Sequence, residues 1–175
     1  IEEEAARALE ELAHKRADQL RGFEVVWNLF VGLPLMLPSL MYVGSHNQHH
    51  RRSIFATPAD PEYVPLANWS RLRIALFICS VAFIPPALAL RWGVVWPLSF
   101  FVPPLHRLSV AKMSTLVINP EYERPFPRGR DRIRWALGEA GCCAVFWMAA
   151  ALVLSGVVSW PWLVQWWIVG AGILV

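Results

Sequence analysis

Charged residues are scarce in this chain, at 17%, whereas a soluble domain of its size carries about a quarter. That shortage argues against an ordinary water-soluble globule. Cysteine is scarce too. Cys79, Cys142 and Cys143 all fall inside apolar stretches with no CxxC spacing, which makes them poor candidates for a shared metal and reads as small hydrophobes between helices. No HExxH occurs, so a zinc-protease reading fails, and without CxxC a zinc-deaminase reading fails as well. There is no signal-peptide pattern ahead of the acidic opening IEEEAARALEEL, no repeat and no low-complexity tract. The net charge of +3 is modest and its cations gather in the gaps between apolar runs. Anionic lipid is therefore the expected partner, and nucleic acid is not.

What the chain has in quantity is apolar length. Of its 175 residues 56% are hydrophobic, with 10 Trp and 14 Pro, a mixture that suits membrane helices and their headgroup borders. Residues 1–22 have the spacing of an amphipathic helix, with Ala5, Leu9, Leu12, Ala13 and Leu20 on one side. Residues 23–44 are long enough to span a bilayer, but Glu24, Asn28, Pro34 and Pro38 interrupt them, so the segment reads as spanning or re-entrant. Residues 74–105 predict a hairpin turning at Arg91, and 135–175 a second hairpin turning at SWPW. The expected fold is all-α and membrane-integral, a single domain over 1–175. The start at Ile1 and the apolar stop at Val175 read as the edges of a piece of a longer polypeptide.

All but Arg91 of the 16 Lys and Arg residues lie in 1–22, 45–73 and 106–134. If positive charge stays inside, these three stretches are cytoplasmic and 23–44 dips in and returns. The basic run 124–134 then holds anionic headgroups or docks an electron donor. Trp160, Trp162, Trp166 and Trp167 read as an interface belt. Glu24, Glu139 and Gln165 should face protein or a cavity rather than lipid, and His106 reads as an interfacial, hydrogen-bonded histidine.

The chemical signal is SHNQHHRR at 45–52. On a helix His46, His49 and His50 stand at i, i+3 and i+4, one face, where neutral imidazoles suit a first-row transition metal. The competing reading is a solvated polar loop beside Arg51 and Arg52, and a third is a single-metal site in some other membrane protein. Asp60 and Glu62 in TPADPEYVP are candidates to orient the imidazoles or to join the metal, or else to pin their own loop.

With WNLFVGLPLMLPSLMYVGSHNQHHRR followed by ATPADPEYVPLA, the chain resembles the histidine-box membrane fatty acid desaturases. The likeness in order and hydropathy runs over roughly 10–175, its specific residues lie mainly in 22–67, and INPEYERPFPRG at 118–129 echoes it more weakly. The resemblance implies two iron ions held by three histidine clusters at the cytoplasmic face, and O2 as co-substrate. It further implies an acyl or carotenoid-type chain as substrate and a ferredoxin or cytochrome b5-type electron donor. His46, His49 and His50 would be the second cluster. The first, HxxxH in the family, corresponds to EELAH, so His14 would be a ligand and Glu10 stands where the other histidine would be. The third has no counterpart before Val175. It lies beyond that residue, or the chain is a catalytically incomplete relative that scaffolds partners in a larger membrane complex.

Overall fold

The computed structural model describes residues 22–113, 119 and 121–173, so the expected helix at 1–22, with Glu10 and His14, lies outside the described residues apart from Gly22. The described residues are helical and turn segments without strands. A short helix α1 (Phe23–Trp27) runs on into a π-helical turn over Asn28–Gly32, and a break at 33–38 leads to α2 (Ser39–His49). One rod follows, made of α3 (Arg71–Ser80), a 3-10 turn, α4 (Ile84–Leu90), a π-helical turn over Arg91–Val95, and α5 (Trp96–Ser99). Then come α6 (Pro103–Lys112), α7 (Arg130–Leu154) and α8 (Pro161–Ile173).

The Arg71–Ser99 rod and α7 have 29 and 25 residues, each long and apolar enough to cross a membrane. At 1.5 Å per residue they measure about 43 and 37 Å, against a hydrocarbon core of about 30 Å. Their outer faces carry exposed Leu72, Leu76, Phe83, Leu137 and Leu154, surface that water alone does not tolerate over such lengths.

The expected hairpin at Arg91 is absent, because the helix runs straight through it. One charge is not a turn signal, and Arg91 has an internal partner: it is 1% exposed, with Glu139 of α7 at 3.7 Å and its guanidinium over the Trp92 ring. Beside it Gly93 lets α7 approach closely, since a Cβ there would strike the Phe146 ring. Pro85 and Pro86 do not break the rod because they fall in the first turn of α4, where proline is tolerated.

Residues 23–44 do not form one straight spanning helix. Pro34 and Pro38 withhold backbone donors, the chain turns over, and Met36 adopts φ 59°. The carbonyls this frees are taken by indoles: Trp92 Nε1 donates to Met36 O at 3.0 Å and Trp166 Nε1 to Pro34 O at 2.7 Å. Asn28 closes the other side, its Oδ1 accepting from the Ser39 amide at 2.8 Å and so capping α2 across the break. Met36, Met41, Leu88, Trp92, Val110, Trp135 and Cys142 form the small core around this knot. Trp167 likewise donates to Ala82 O while remaining 41% exposed, and Trp160 and Trp162 are exposed, so two of the four residues of the expected aromatic belt also bind backbone carbonyls. Gln165 is exposed rather than facing protein, and Glu24 is paired with Arg134.

Candidate metal centre

Helix α2 presents the three histidines from its last turn: His46 and His49 are within it and His50 is its C-cap. The rings gather as the i, i+3, i+4 spacing requires, with centroids 4.5 Å apart for His46 and His50, 5.4 Å for His49 and His50 and 6.2 Å for His46 and His49. The loop after α2 turns back under them. His49 Nδ1 lies 2.9 and 3.0 Å from the two oxygens of Asp60, and His46 Nδ1 lies 3.0 Å from Glu62 Oε1. Each carboxylate can only accept from its ring, which puts the proton on Nδ1 and leaves Nε2 as the basic nitrogen.

Asp60 is the hub. It is 1% exposed, its Oδ1 also accepts from the Glu62 amide at 2.8 Å, and its Oδ2 accepts from the Ala56 amide at 3.0 Å. Burial pushes the Asp60 carboxyl up, but these amide bonds and the His49 ring outweigh it and hold the group below its usual range. Ala56, at φ 58°, takes a left-handed conformation that non-glycine residues rarely adopt, inside the loop that Asp60 closes.

A second stretch of chain clamps this loop. The Asn119 side chain donates to Pro58 O at 2.9 Å and Asp60 O at 2.8 Å, and its amide donates to Pro61 O at 3.1 Å. Tyr122 donates its hydroxyl to Gln48 Oε1 at 2.7 Å, between the histidines in sequence, and burial pushes its pKa up, which favours that donor form. Arg124 is 8% exposed and donates from Nη1 to Leu40 O and Met41 O of α2 at 2.9 and 3.0 Å while lying over the Trp135 ring of α7. Gly44 makes room for it, since any Cβ there would collide with the guanidinium. Arg124 is thus an internal tie, not part of a surface basic run. In the sequence Asn119 and Tyr122 carry no signal beyond the NPEYER echo, and Arg124 reads there as part of the basic run 124–134.

His106 is not part of this cluster. It pairs with Glu139 Oε2 at 3.1 Å and packs on Phe126.

The donor chemistry fits a metal in part. His46 Nε2 and His50 Nε2 stand 3.0 Å apart, close to the spacing of adjacent ligands around one ion at metal–nitrogen distances of about 2.0–2.1 Å. Carboxylates behind two of the rings are the support that metal-bound imidazoles ordinarily have. Among the described residues, however, no group of three or more His, Cys, Asp or Glu is placed so that it could hold a metal ion, and Glu10 and His14 lie outside them. The three imidazoles are the ligand candidates that the described residues offer, all from the end of α2.

Comparison with known proteins gives two findings. The model of the fatty acid desaturase family matches residues 11–175. A ceramide hydroxylase of Caulobacter vibrioides (strain NA1000 / CB15N) is similar, at 43% identity over 150 residues, which cover 86% of this chain and 42% of that protein. The chain therefore spans less than half the length of this curated relative. No solved structure matches it.

Proposed function

Because the chain belongs to the fatty acid desaturase family, a family of lipid desaturases and related hydroxylases, we propose that it forms part of a membrane-bound oxidoreductase that hydroxylates an amide-linked lipid of the ceramide class. The observation that carries the reading is the anchoring of His46 and His49 through Nδ1 by Glu62 and Asp60, which fixes the ring tautomers that ligation needs. His46, His49 and His50 would hold iron from this side, with His14 and Glu10 as candidates for another wall, and Asp60 and Glu62 as the groups that orient the rings. Bound iron would supply what no side chain can, the activation of O2 toward an unactivated C–H bond. One oxygen atom enters that bond and the other leaves as water, with two electrons coming one at a time from an external donor of the ferredoxin or cytochrome b5 type and two protons coming from solvent.

The chain's own residues have three tasks in this scheme. Asp60 and Glu62 keep the Nε2 lone pairs available. Asn119, Tyr122 and Arg124 hold the loop and α2 in register. The apolar rods keep the substrate chain in a lipid-like surrounding, with the histidine face and the basic stretches placed on the cytoplasmic side. Desaturation uses the same donor and O2 but removes two hydrogens and yields two waters, so product mass separates the two reactions.

The test is to purify the full-length protein, measure iron per chain, and incubate it with an N-acyl sphinganine, O2 and a reduced ferredoxin. A product heavier by one oxygen supports hydroxylation, and one lighter by two hydrogens transfers the proposal to desaturation. Absence of both iron and product would overturn the enzymatic reading and favour the scaffold.

A further inference from the structure

A pocket separate from the histidine cluster opens between α5, α6 and α7. Trp96 and Ser99 belong to the last turn of the Arg71–Ser99 rod, and Arg132 lies in the first turn of α7. The pocket therefore sits at one end of both membrane-length helices. Those helices measure about 43 and 37 Å against a hydrocarbon core of about 30 Å, which puts their end turns at headgroup level. The pocket has a volume of about 840 Å³, within the range of about 300–1,000 Å³ typical of small-molecule sites.

Its lining changes character along α7. Arg132 is followed one and two helical turns later by Ala136 and Ala140, about 12 Å in all, and both alanines are exposed. Trp96, Phe100 and Phe126 add ring surface, and Phe100 is 68% exposed. One end of the pocket is thus basic and the rest is apolar, continuous with the outside of the rods.

The charge at the basic end is unmatched. Arg107 of α6 and Arg132 are exposed, and neither has a hydrogen bond or ion pair among the described residues. Other cations of this region are engaged: Lys112 with Glu123, Arg134 with Glu24 and Asp131, and Arg124 with carbonyls of α2. The one carboxylate in the lining, Glu139, is 2% exposed and turned inward. Its Oε2 is 3.1 Å from His106 and its Oε1 is 3.7 Å from Arg91. Its charge is matched within the wall, and two guanidinium groups are left over.

That surplus repels a cation, and a neutral headgroup leaves it unanswered. A free inorganic anion answers it but leaves the alanine and aromatic walls wet. An amphiphile with a phosphate at the arginines and chains along Ala136, Ala140 and Phe100 uses both ends. Guanidinium meets phosphate oxygens through two parallel hydrogen bonds, and basic pockets between membrane helices suit anionic headgroups.

We propose that this pocket binds the headgroup of an anionic glycerophospholipid, with Arg107 and Arg132 donating to its phosphate. The site requires the chain to be embedded in a membrane and depends on neither iron nor turnover.

The test measures binding of a fluorescent phosphatidylglycerol to the full-length protein in a neutral detergent. The competitors are unlabelled phosphatidylglycerol, phosphatidylcholine with the same chains, a fatty acid and inorganic phosphate. Phosphatidylglycerol should compete at least about tenfold better than each of the others. Arg107→Gln and Arg132→Gln should each weaken binding about fivefold, and about twenty-fivefold together. Arg128→Gln removes an exposed cation of the same stretch that does not line the pocket, and should change binding less than about twofold. Ala136→Trp keeps both arginines, fills the pocket from an exposed position and should weaken binding at least about tenfold. Equal competition by phosphatidylcholine, fatty acid or inorganic phosphate would overturn the proposal. So would equal losses at Arg128 and at the two pocket arginines, which would leave only a diffuse basic surface. Iron is measured on the same samples: iron without selective lipid binding removes this inference alone, and selective binding without iron supports the site while removing the oxidoreductase reading.

Discussion

Replacing Asp60 by Asn changes almost no volume, yet the geometry gives the new amide no comfortable orientation. Oδ1 accepts from the Glu62 amide and Oδ2 from the Ala56 amide, while the His49 Nδ1 bond is shared between them. Whichever way the substituted carboxamide turns, its NH2 faces a backbone N–H in a place where the native side chain is 1% exposed. One buried donor is left unsatisfied and one charged acceptor is lost, about 2–3 kcal/mol together. For a chain of this size that lowers the melting midpoint by roughly 4–10 °C, readable from tryptophan fluorescence in detergent. The same substitution frees His49 to place its proton on Nε2, so iron affinity should fall about 10–100-fold. The pH dependence has a definite sign. The Asp60 pKa is held below its unfolded value of about 3.9, so its stabilisation is complete above about pH 4 and is lost as pH falls through the folded value. The difference between wild type and Asp60→Asn should therefore shrink in strong acid. An Asp60→Asn variant with wild-type melting and iron content at neutral pH would refute the account of the loop.

Four further substitutions probe the supports. Asn119→Ala removes two bonds to the 58–60 carbonyls and should cost about 2 kcal/mol, with hydrogen exchange rising in 56–62 before any change in α7. Arg124→Lys keeps the charge but loses the planar guanidinium over Trp135, and should lower iron affinity and melting temperature by more than Tyr122→Phe, whose single lost bond is worth about 0.5–1.5 kcal/mol. Gly93→Val should push the Arg71–Ser99 rod off α7 against Phe146 and destabilise by about 1–3 kcal/mol, seen as a lower melting midpoint with iron binding spared in the folded fraction.

How much of this the sequence could disclose differs from residue to residue. The histidine face was legible because three residues on one helix need only the 3.6 period to be placed, and Asp60 and Glu62 were near enough in sequence to be suspected. Asn119, Tyr122 and Arg124 act on groups 59 to 84 residues away, and no periodicity reports such pairings. Arg91 misled for a related reason. A lone cation between apolar runs looks like a solvated turn until Glu139, 48 positions later, is known to sit beside it. Asn28 and the prolines read as interruptions from the sequence, but that the interruption is capped by Asn28 and stapled by Trp92 and Trp166 depends on tertiary contact.

Those two indoles bear on where the bend at 33–38 can live. Carbonyls released by a broken helix normally need water, which would confine the bend to a wet border. Here nitrogen donors from the Arg91–Val95 turn and from α8 take water's place at Met36 and Pro34. The approach to the histidines thus carries a built-in, dry substitute for hydration, and replacing Trp92 or Trp166 with Phe would raise its thirst without altering its greasiness.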